Sequence, residues 1–180
     1  SKENAEKLVE YDPVTKIKKD ILTFDAKGAF GICELNGKLI VIGYKNGNSL
    51  LSVDPITGNF TSIFKFNASN SYAPAVNMKS TDGRIYFWYP NGNSTYSLYT
   101  SEGTEGTTIA LFDNLDDKDA FTYYANNIIN VADGKILASV NYKNEPGNNR
   151  LLFSDGTINN TTIIQYKDVI NFNPYDIEYY

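Results

Sequence analysis

The chain has 180 residues, of which 42% are hydrophobic and 14% aromatic, and this composition excludes an intrinsically disordered protein. The net charge is −5 and the basic residues are scattered along the chain, so we expect no nucleic-acid partner. No apolar run has the length of a membrane-spanning helix, and the lack of histidine removes the usual general base and the commonest zinc ligand. We therefore predict no catalytic residue, no cofactor and no membrane span within this chain.

Four segments align without gaps and recur roughly every 40 to 50 residues along the chain. Each opens with leucine, has an acidic residue at its fifth position followed by Pro or Gly, and closes on an apolar pair or near-pair. Because carboxylates accept backbone N–H bonds in turns and Pro and Gly set φ, each segment predicts two antiparallel strands joined by a turn. The segments are Leu8–Leu22, Leu50–Phe64, Leu98–Phe112 and Leu151–Gln165, with Asp12, Asp54, Glu102 and Asp155 at the fifth position.

A second short pattern recurs in phase with the first. Asn36-Gly37, Asp82-Gly83 and Asp133-Gly134 each lie just before an apolar run. Asn-Gly and Asp-Gly between apolar runs predict a type I′ hairpin turn, because both central residues of that turn need positive φ. Each repeat therefore predicts four strands, and runs with two apolar faces, such as residues 85–89, indicate a sheet covered on both sides.

Together the repeats predict an all-β fold, namely a fragment of a β-propeller built from four-stranded antiparallel blades. We expect a partial blade, three full blades and the first strand of another, all within a single domain. The predicted ranges are 8–22 for the two outer strands of the partial blade, 28–67, 71–113 and 121–168 for the full blades, and 173–180 for the last strand.

Such an open stack of blades leaves two sheet faces exposed, and closed propellers have about four to eight blades. The favoured hypothesis is that the chain is an excerpt of a longer protein whose remaining blades close the ring. A four-bladed ring closed by both termini is the alternative, and it would lack one strand.

The outer turns resemble those of known secreted propellers. Residues 98–107 and 152–157, with Glu102-Gly103-Thr104 and Asp155-Gly156-Thr157, resemble the ELWxxDGTxxGT repeat of large bacterial surface proteins, although Tyr99 and Leu152 replace its tryptophan. The turn at residues 54–58, Asp-Pro-Ile-Thr-Gly, is similar to the DPxTG turn of quinoprotein-like propellers. The resemblance implies an extracellular or cell-surface location and a structural role for these turns.

The function predicted from this resemblance is a non-enzymatic scaffold of a secreted or cell-surface bacterial protein, of the Bacteroidota kind, that mediates adhesion or protein and glycan binding. One alternative is a segment of a propeller enzyme, either a glycan-active hydrolase or a quinoprotein-like oxidoreductase, whose catalytic residues lie outside the chain. Another is an intracellular assembly hub. A glycosidase centre needs paired carboxylates, often with an arginine cluster, and only Arg84 and Arg150 are present.

Three groups of residues carry weaker hypotheses. The acidic run with Asp113, Asp116, Asp117 and Asp119 contains calcium-type ligands, but a solvated loop is the favoured interpretation and we predict no metal site. Cys33 lies in an apolar run and is predicted to be a buried, inert thiol. The abundant aromatic residues are expected to pack between blades rather than stack on sugars, and they include Tyr86, Trp88, Tyr89, Tyr123, Tyr124, Tyr175, Tyr179 and Tyr180.

Overall fold

The structure, a computed structural model, describes residues 6–25, 28–66, 77–90, 96–112, 128–141 and 149–164. These residues form fourteen β-strands and no helix. The first sheet contains β1 (Lys7–Tyr11) and β2 (Lys18–Thr23), and the second contains β3 (Ala29–Leu35), β4 (Lys38–Tyr44), β5 (Asn48–Val53) and β6 (Phe60–Lys65). The third contains β7 (Met78–Thr81), β8 (Arg84–Pro90), β9 (Tyr96–Ser101) and β10 (Ile109–Phe112), and the fourth contains β11 (Ile128–Asn130), β12 (Ile136–Asn141), β13 (Asn149–Ser154) and β14 (Thr162–Ile164).

All strand pairs within these sheets are antiparallel, and neighbouring strands follow one another in sequence. The prediction of an all-β chain with four-stranded antiparallel sheets is therefore confirmed. The predicted limits of the individual repeats stay predictions, and the strand expected over 173–180 lies outside the described residues.

The three predicted hairpin turns have the backbone conformation that a type I′ turn requires. Asn36 and Gly37 have φ of 52° and 74°, and Leu35 pairs with Lys38 across the turn. The same two positive φ angles occur at 82–83 and 133–134. Non-glycine residues with positive φ are uncommon, and Asn and Asp tolerate this conformation best. We call these three connections the tight turns.

The last two strands of the second and third sheets share a second geometry with the two strands of the first sheet. Leu8 pairs with Leu22 in the first sheet, and Leu50 pairs with Phe64 in the second. The register shifts directly beside each of these pairs, which marks a β-bulge. In the third sheet Leu98 pairs with Phe112, again beside a register shift. Hence β1 and β2 correspond to the third and fourth strands of the other sheets.

The sheets pack face to face in chain order, with a hydrophobic cluster between each successive pair. Alternate residues of a strand point to opposite faces, so the middle strands supply two clusters each. Thus Tyr86 and Trp88 of β8 face the fourth sheet, whereas Ile85 and Phe87 face the second. The cluster between the first and second sheets includes Val41, Leu51 and Val53. The cluster between the second and third sheets includes Ile42, Leu50 and Phe87. The cluster between the third and fourth sheets includes Trp88, Leu98 and Ile136.

We call the connection between the last two strands of a sheet its outer turn, and in the second, third and fourth sheets this turn rests on the sheet before it. At Gly58, where φ is +73°, an added Cβ would lie 2.3 Å from the carbonyl oxygen of Ile21 in the first sheet. At Gly103 it would lie 2.8 Å from Leu35, and at Gly156 it would lie 2.7 Å from the Tyr86 hydroxyl. A glycine therefore permits the close contact at all three joints between sheets.

Candidate functional site

The tight turns and the outer turns lie at one edge of the stack of sheets, which we call the turn rim. In an antiparallel meander, the first and third connections fall at the same end of the sheet. The ion pair between Lys38, just after a tight turn, and Asp54, at the start of an outer turn, confirms this proximity. The outer turns span residues 12–17, 54–59, 102–108 and 155–161.

The aspartates at the start of three outer turns organise their own loops. Asp54 accepts hydrogen bonds from the N–H groups of Ile56 and Thr57, at 3.0 and 2.9 Å. The Lys38 ammonium is the main cause that lowers the pKa of this carboxyl below its ordinary value, and the loop N–H groups add to it. Asp12 accepts bonds from the Thr15 hydroxyl at 2.6 Å and from the N–H groups of Val14 and Thr15 at 2.8 and 3.3 Å. The Thr15 hydroxyl is the main cause that lowers the pKa of Asp12, and the two N–H groups add to it.

Asp155 follows the same plan with different partners. It accepts bonds from the Thr157 hydroxyl at 2.7 Å, the Thr157 N–H at 3.0 Å and the Asn160 amide at 2.7 Å. The Thr157 hydroxyl is the main cause that lowers the pKa of Asp155. The predicted structural role of the aspartates in these turns is therefore confirmed.

The third outer turn departs from the expected pattern. The Glu102 carboxylate pairs with the Arg84 guanidinium at 2.9 Å, unlike the three aspartates, which accept N–H groups of their own loops. The hydroxyl of Ser101 accepts the Gly103 N–H at 3.1 Å, as the Ser154 hydroxyl does for Gly156 in the fourth sheet. Arg84 also donates to the carbonyl of Gly156 at 3.1 Å, so it joins the third sheet to the fourth.

The pairing of a cation after the tight turn with an acid of the outer turn was missed from the sequence. Lys38 with Asp54 and Arg84 with Glu102 occupy the same places in successive sheets. A comparison of the two repeat patterns would have found them, because a basic residue directly follows the Asn-Gly or Asp-Gly pair of each tight turn. Each pair joins the strand after a tight turn to the outer turn of the same sheet.

Exposed aliphatic side chains form the most unusual feature of the turn rim. Val14 is 88% exposed, Ile56 is 78% exposed and Ile158 is 60% exposed. Val14 and Ile56 hold the same place in their turns, directly after Pro. The turns are held by their aspartates, so these apolar side chains have no part in forming them.

A shallow groove of about 490 Å³ lies at the turn rim between the outer turns of the third and fourth sheets. Arg84 and Glu102 form one part of its wall, and Ile109 and Ile158 add exposed apolar surface. The backbone of Gly156 and Thr157 borders it on the other side. The groove is thus mixed in character and open to solvent, as partner-binding surfaces are.

The remaining sequence candidates fall into two groups. The acidic run with Asp113, Asp116, Asp117 and Asp119 lies outside the described residues, as do Arg150's side chain and the tyrosines beyond residue 112. Tyr86, Trp88 and Tyr89 are buried between sheets, which confirms the packing interpretation for these three.

Cys33 lies on β3 and packs against the cluster between the second and third sheets. It is only half-buried, yet burial raises the pKa of the thiol to about 12, and the nearby Glu34 carboxylate adds to this. A thiol that stays protonated is a poor nucleophile, in agreement with the predicted inert role.

Within the described ranges, no group of three or more acidic or cysteine side chains is arranged to hold a metal ion. Over the same part of the chain, no helix has the length and apolar character needed to cross a membrane. No protein-family model matches the chain, and no curated protein matches it.

Proposed function

We propose that the chain is part of a β-propeller whose four-stranded blades are the sheets of the stack, with β1 and β2 as the outer half of a blade. Three observations support this architecture: the meander order of the strands, the hydrophobic cluster between each pair of sheets, and the contact of the first strands, β3 with β7 and β7 with β11. Face-to-face sheets whose first strands approach one another are the arrangement of blades around an axis.

We further propose that this propeller is a non-catalytic scaffold of a secreted or cell-surface bacterial protein, and that it binds a protein or a glycan through its turn rim. The observation that carries this proposal is the exposure of Val14, Ile56 and Ile158 on turns that do not need them. An apolar side chain on a rigid turn loses little conformational entropy when a partner covers it.

The groove between the third and fourth outer turns adds polar groups beside Ile158, which lines it. Arg84 and Glu102 are held by each other and by the backbone of the neighbouring sheet, so they present fixed charges to a partner. Charged groups at the border of an apolar patch steer the partner and set its orientation. The turn rim therefore has the composition of an interaction surface.

The binding proposal is tested with a variant in which Val14, Ile56 and Ile158 are all replaced by serine. Beads that carry the chain are offered a glycan array and a panel of immobilised extracellular-matrix proteins. We expect the unmodified chain to bind at least one member, and the triple variant to bind it at least about tenfold more weakly. The matched control is Tyr44→Ser, which removes an exposed apolar side chain at the opposite end of β4. Equal retention by the triple variant would show that the turn rim is not the binding surface.

The architecture has a separate test. Electron microscopy of the whole protein, purified from the cells that make it, is expected to show discs with a central channel, and open or irregular particles would contradict a propeller. Protease added to those intact cells should degrade the protein if it is displayed on the surface, whereas protection until lysis would favour the intracellular alternative.

A further inference from the structure

The first sheet has two described strands where the other three sheets have four. The matching pairs Leu8 with Leu22 and Leu50 with Phe64, each beside a bulge, place β1 in the position of a third strand. In every four-stranded sheet a tight-turn hairpin pairs with the inner edge of that third strand, as β3 and β4 do with β5. No described strand occupies the corresponding place beside β1.

The inner edge of β1, which no described strand covers, directs backbone groups outward. The Glu6 carbonyl accepts the Phe24 N–H, and the Asp12 N–H donates to Ile17, both at 3.0 Å, so these residues direct their backbone toward β2. Because successive residues of an antiparallel strand direct these groups to opposite sides, Lys7, Val9 and Tyr11 direct theirs away from β2. A strand edge with such unpaired groups is a template for another strand.

The second sheet has an apolar surface on the face toward the first sheet. This surface lies where a hairpin paired with the inner edge of β1 would contact it. Ile32, Met78 and Ile128 occupy equivalent register positions on the first strands of the three four-stranded sheets, and face the preceding sheet. Met78 is 8% exposed and Ile128 is 1% exposed, because the second and third sheets cover them. Ile32 is 46% exposed, since no described strand of the first sheet reaches it.

The next strand repeats this difference. Leu39 on β4 is only half-buried, while its equivalents Ile85 and Ile136 are completely buried. Asp12 also differs from the acids of the second and third sheets. Asp54 pairs with Lys38 and Glu102 pairs with Arg84. The described bonds of Asp12, like those of Asp155 in the fourth sheet, are those to its own turn.

We propose that this surface binds an antiparallel β-hairpin of the same chemical class as the tight-turn hairpins of this chain. Its second strand pairs with the inner edge of β1, and its aliphatic side chains cover Ile32 and Leu39. A Lys or Arg directly after its Asn-Gly or Asp-Gly turn pairs with Asp12. We infer a hairpin because Met78 and Ile128, the equivalents of Ile32, are buried against the tight-turn hairpins of the second and third sheets. The inference rests on the proposed propeller architecture, of which this hairpin would be the inner half of the first blade.

The probe is a labelled synthetic peptide with the sequence of residues 128–141, which contains a complete tight-turn hairpin with Lys135 after the turn. Fluorescence anisotropy during titration with the 180-residue chain measures its affinity. We expect saturable binding that falls at least about tenfold for the chain variant Ile32→Asp, because a charge would be buried under the peptide. The matched control is Ile164→Asp, an equally drastic change at an exposed isoleucine of β14 in the fourth sheet.

Two further measurements distinguish the proposed pairing from nonspecific apolar binding. Hydrogen exchange should slow at the amides of Val9 and Tyr11 when the peptide binds, and a peptide with Lys135→Glu should bind several-fold more weakly. Failure of the peptide to bind, equal affinity for Ile32→Asp, or unchanged exchange at β1 would overturn the inference. If electron microscopy shows discs but one of these results is obtained, the hairpin site is refuted and the propeller architecture stands. If the peptide binds as expected but the particles are open, the propeller architecture is refuted and the hairpin site stands.

Discussion

The effect of a single residue on the packing of the sheets is clearest at the glycine of an outer turn. Gly58 and Gly37 have almost the same φ, +73° and +74°, but different surroundings. An added Cβ at Gly58 meets the Ile21 carbonyl oxygen at 2.3 Å, while at Gly37 nothing lies within 4 Å. Substitution of Gly37 tests only the backbone strain, whereas substitution of Gly58 adds a steric clash with the first sheet.

We predict that Gly37→Ala lowers the free energy of unfolding by about 1 kcal/mol, because alanine is strained at positive φ. Gly58→Ala should lower it by about 2 to 4 kcal/mol, since the first sheet must also move away from the outer turn. Urea unfolding of both variants gives the two values. Equal losses would mean that the outer turn does not press on the first sheet.

Two buried serines of the fourth sheet provide a similar comparison for hydrogen bonding. The Ser154 hydroxyl accepts the Gly156 N–H at 3.1 Å and shares a bond with Thr161 at 2.8 Å. The Ser139 hydroxyl is buried and has no hydrogen-bond partner. Both side chains are almost fully buried, so their environments differ chiefly in these bonds.

We predict that Ser154→Ala destabilises the protein by about 1 to 3 kcal/mol, because it leaves the buried Gly156 N–H without an acceptor. Ser139→Ala should be neutral or slightly stabilising, since it removes a polar atom that has already lost its hydration. Thermal unfolding followed by circular dichroism is sufficient to rank the two. A larger loss for Ser139→Ala would contradict the hydrogen bonding described here.

At the scale of the element, the repeats and the Asn-Gly and Asp-Gly pairs were enough to predict the meander sheets and their tight turns. These signals are local, because both φ angles of the turn depend on residues adjacent in sequence. The Arg84–Glu102 pair was missed because it joins a residue of one repeat pattern to a residue of the other. The exposure of Ile32 was equally hidden, since an isoleucine in an apolar strand predicts burial until the neighbouring sheet is known.

At the scale of the whole molecule, stability depends on the cluster between the second and third sheets. The rings of Phe66 and Tyr89 stack there with centroids 3.6 Å apart. Burial raises the pKa of Tyr89 to about 12, and the nearby Tyr99 adds to this. A buried phenol whose pKa is raised favours the folded state as long as it keeps its proton.

The sign of the resulting pH dependence follows from this shift. The contribution of Tyr89 is fully present below about pH 10, the ordinary pKa of tyrosine, and is lost as the pH rises toward 12. We predict that urea midpoints fall between pH 9 and pH 11.5 and that Tyr89→Phe makes this fall smaller. Tyr11→Phe, at an exposed tyrosine, is the control and should leave the fall unchanged. An identical fall in both variants would show that Tyr89 ionisation does not limit alkaline stability.

The contact of each outer turn with the preceding sheet gives the stack a direction. Every joint places a turn glycine of the later unit on the earlier one, at Gly58, Gly103 and Gly156 alike. A gene that lost or duplicated one whole period, from one tight turn to the next, would restore the same joint between the new neighbours. Loss of half a period would instead place a tight turn against the preceding sheet, where the other units have the glycine of an outer turn. Lineages of this protein should therefore vary in length by complete periods.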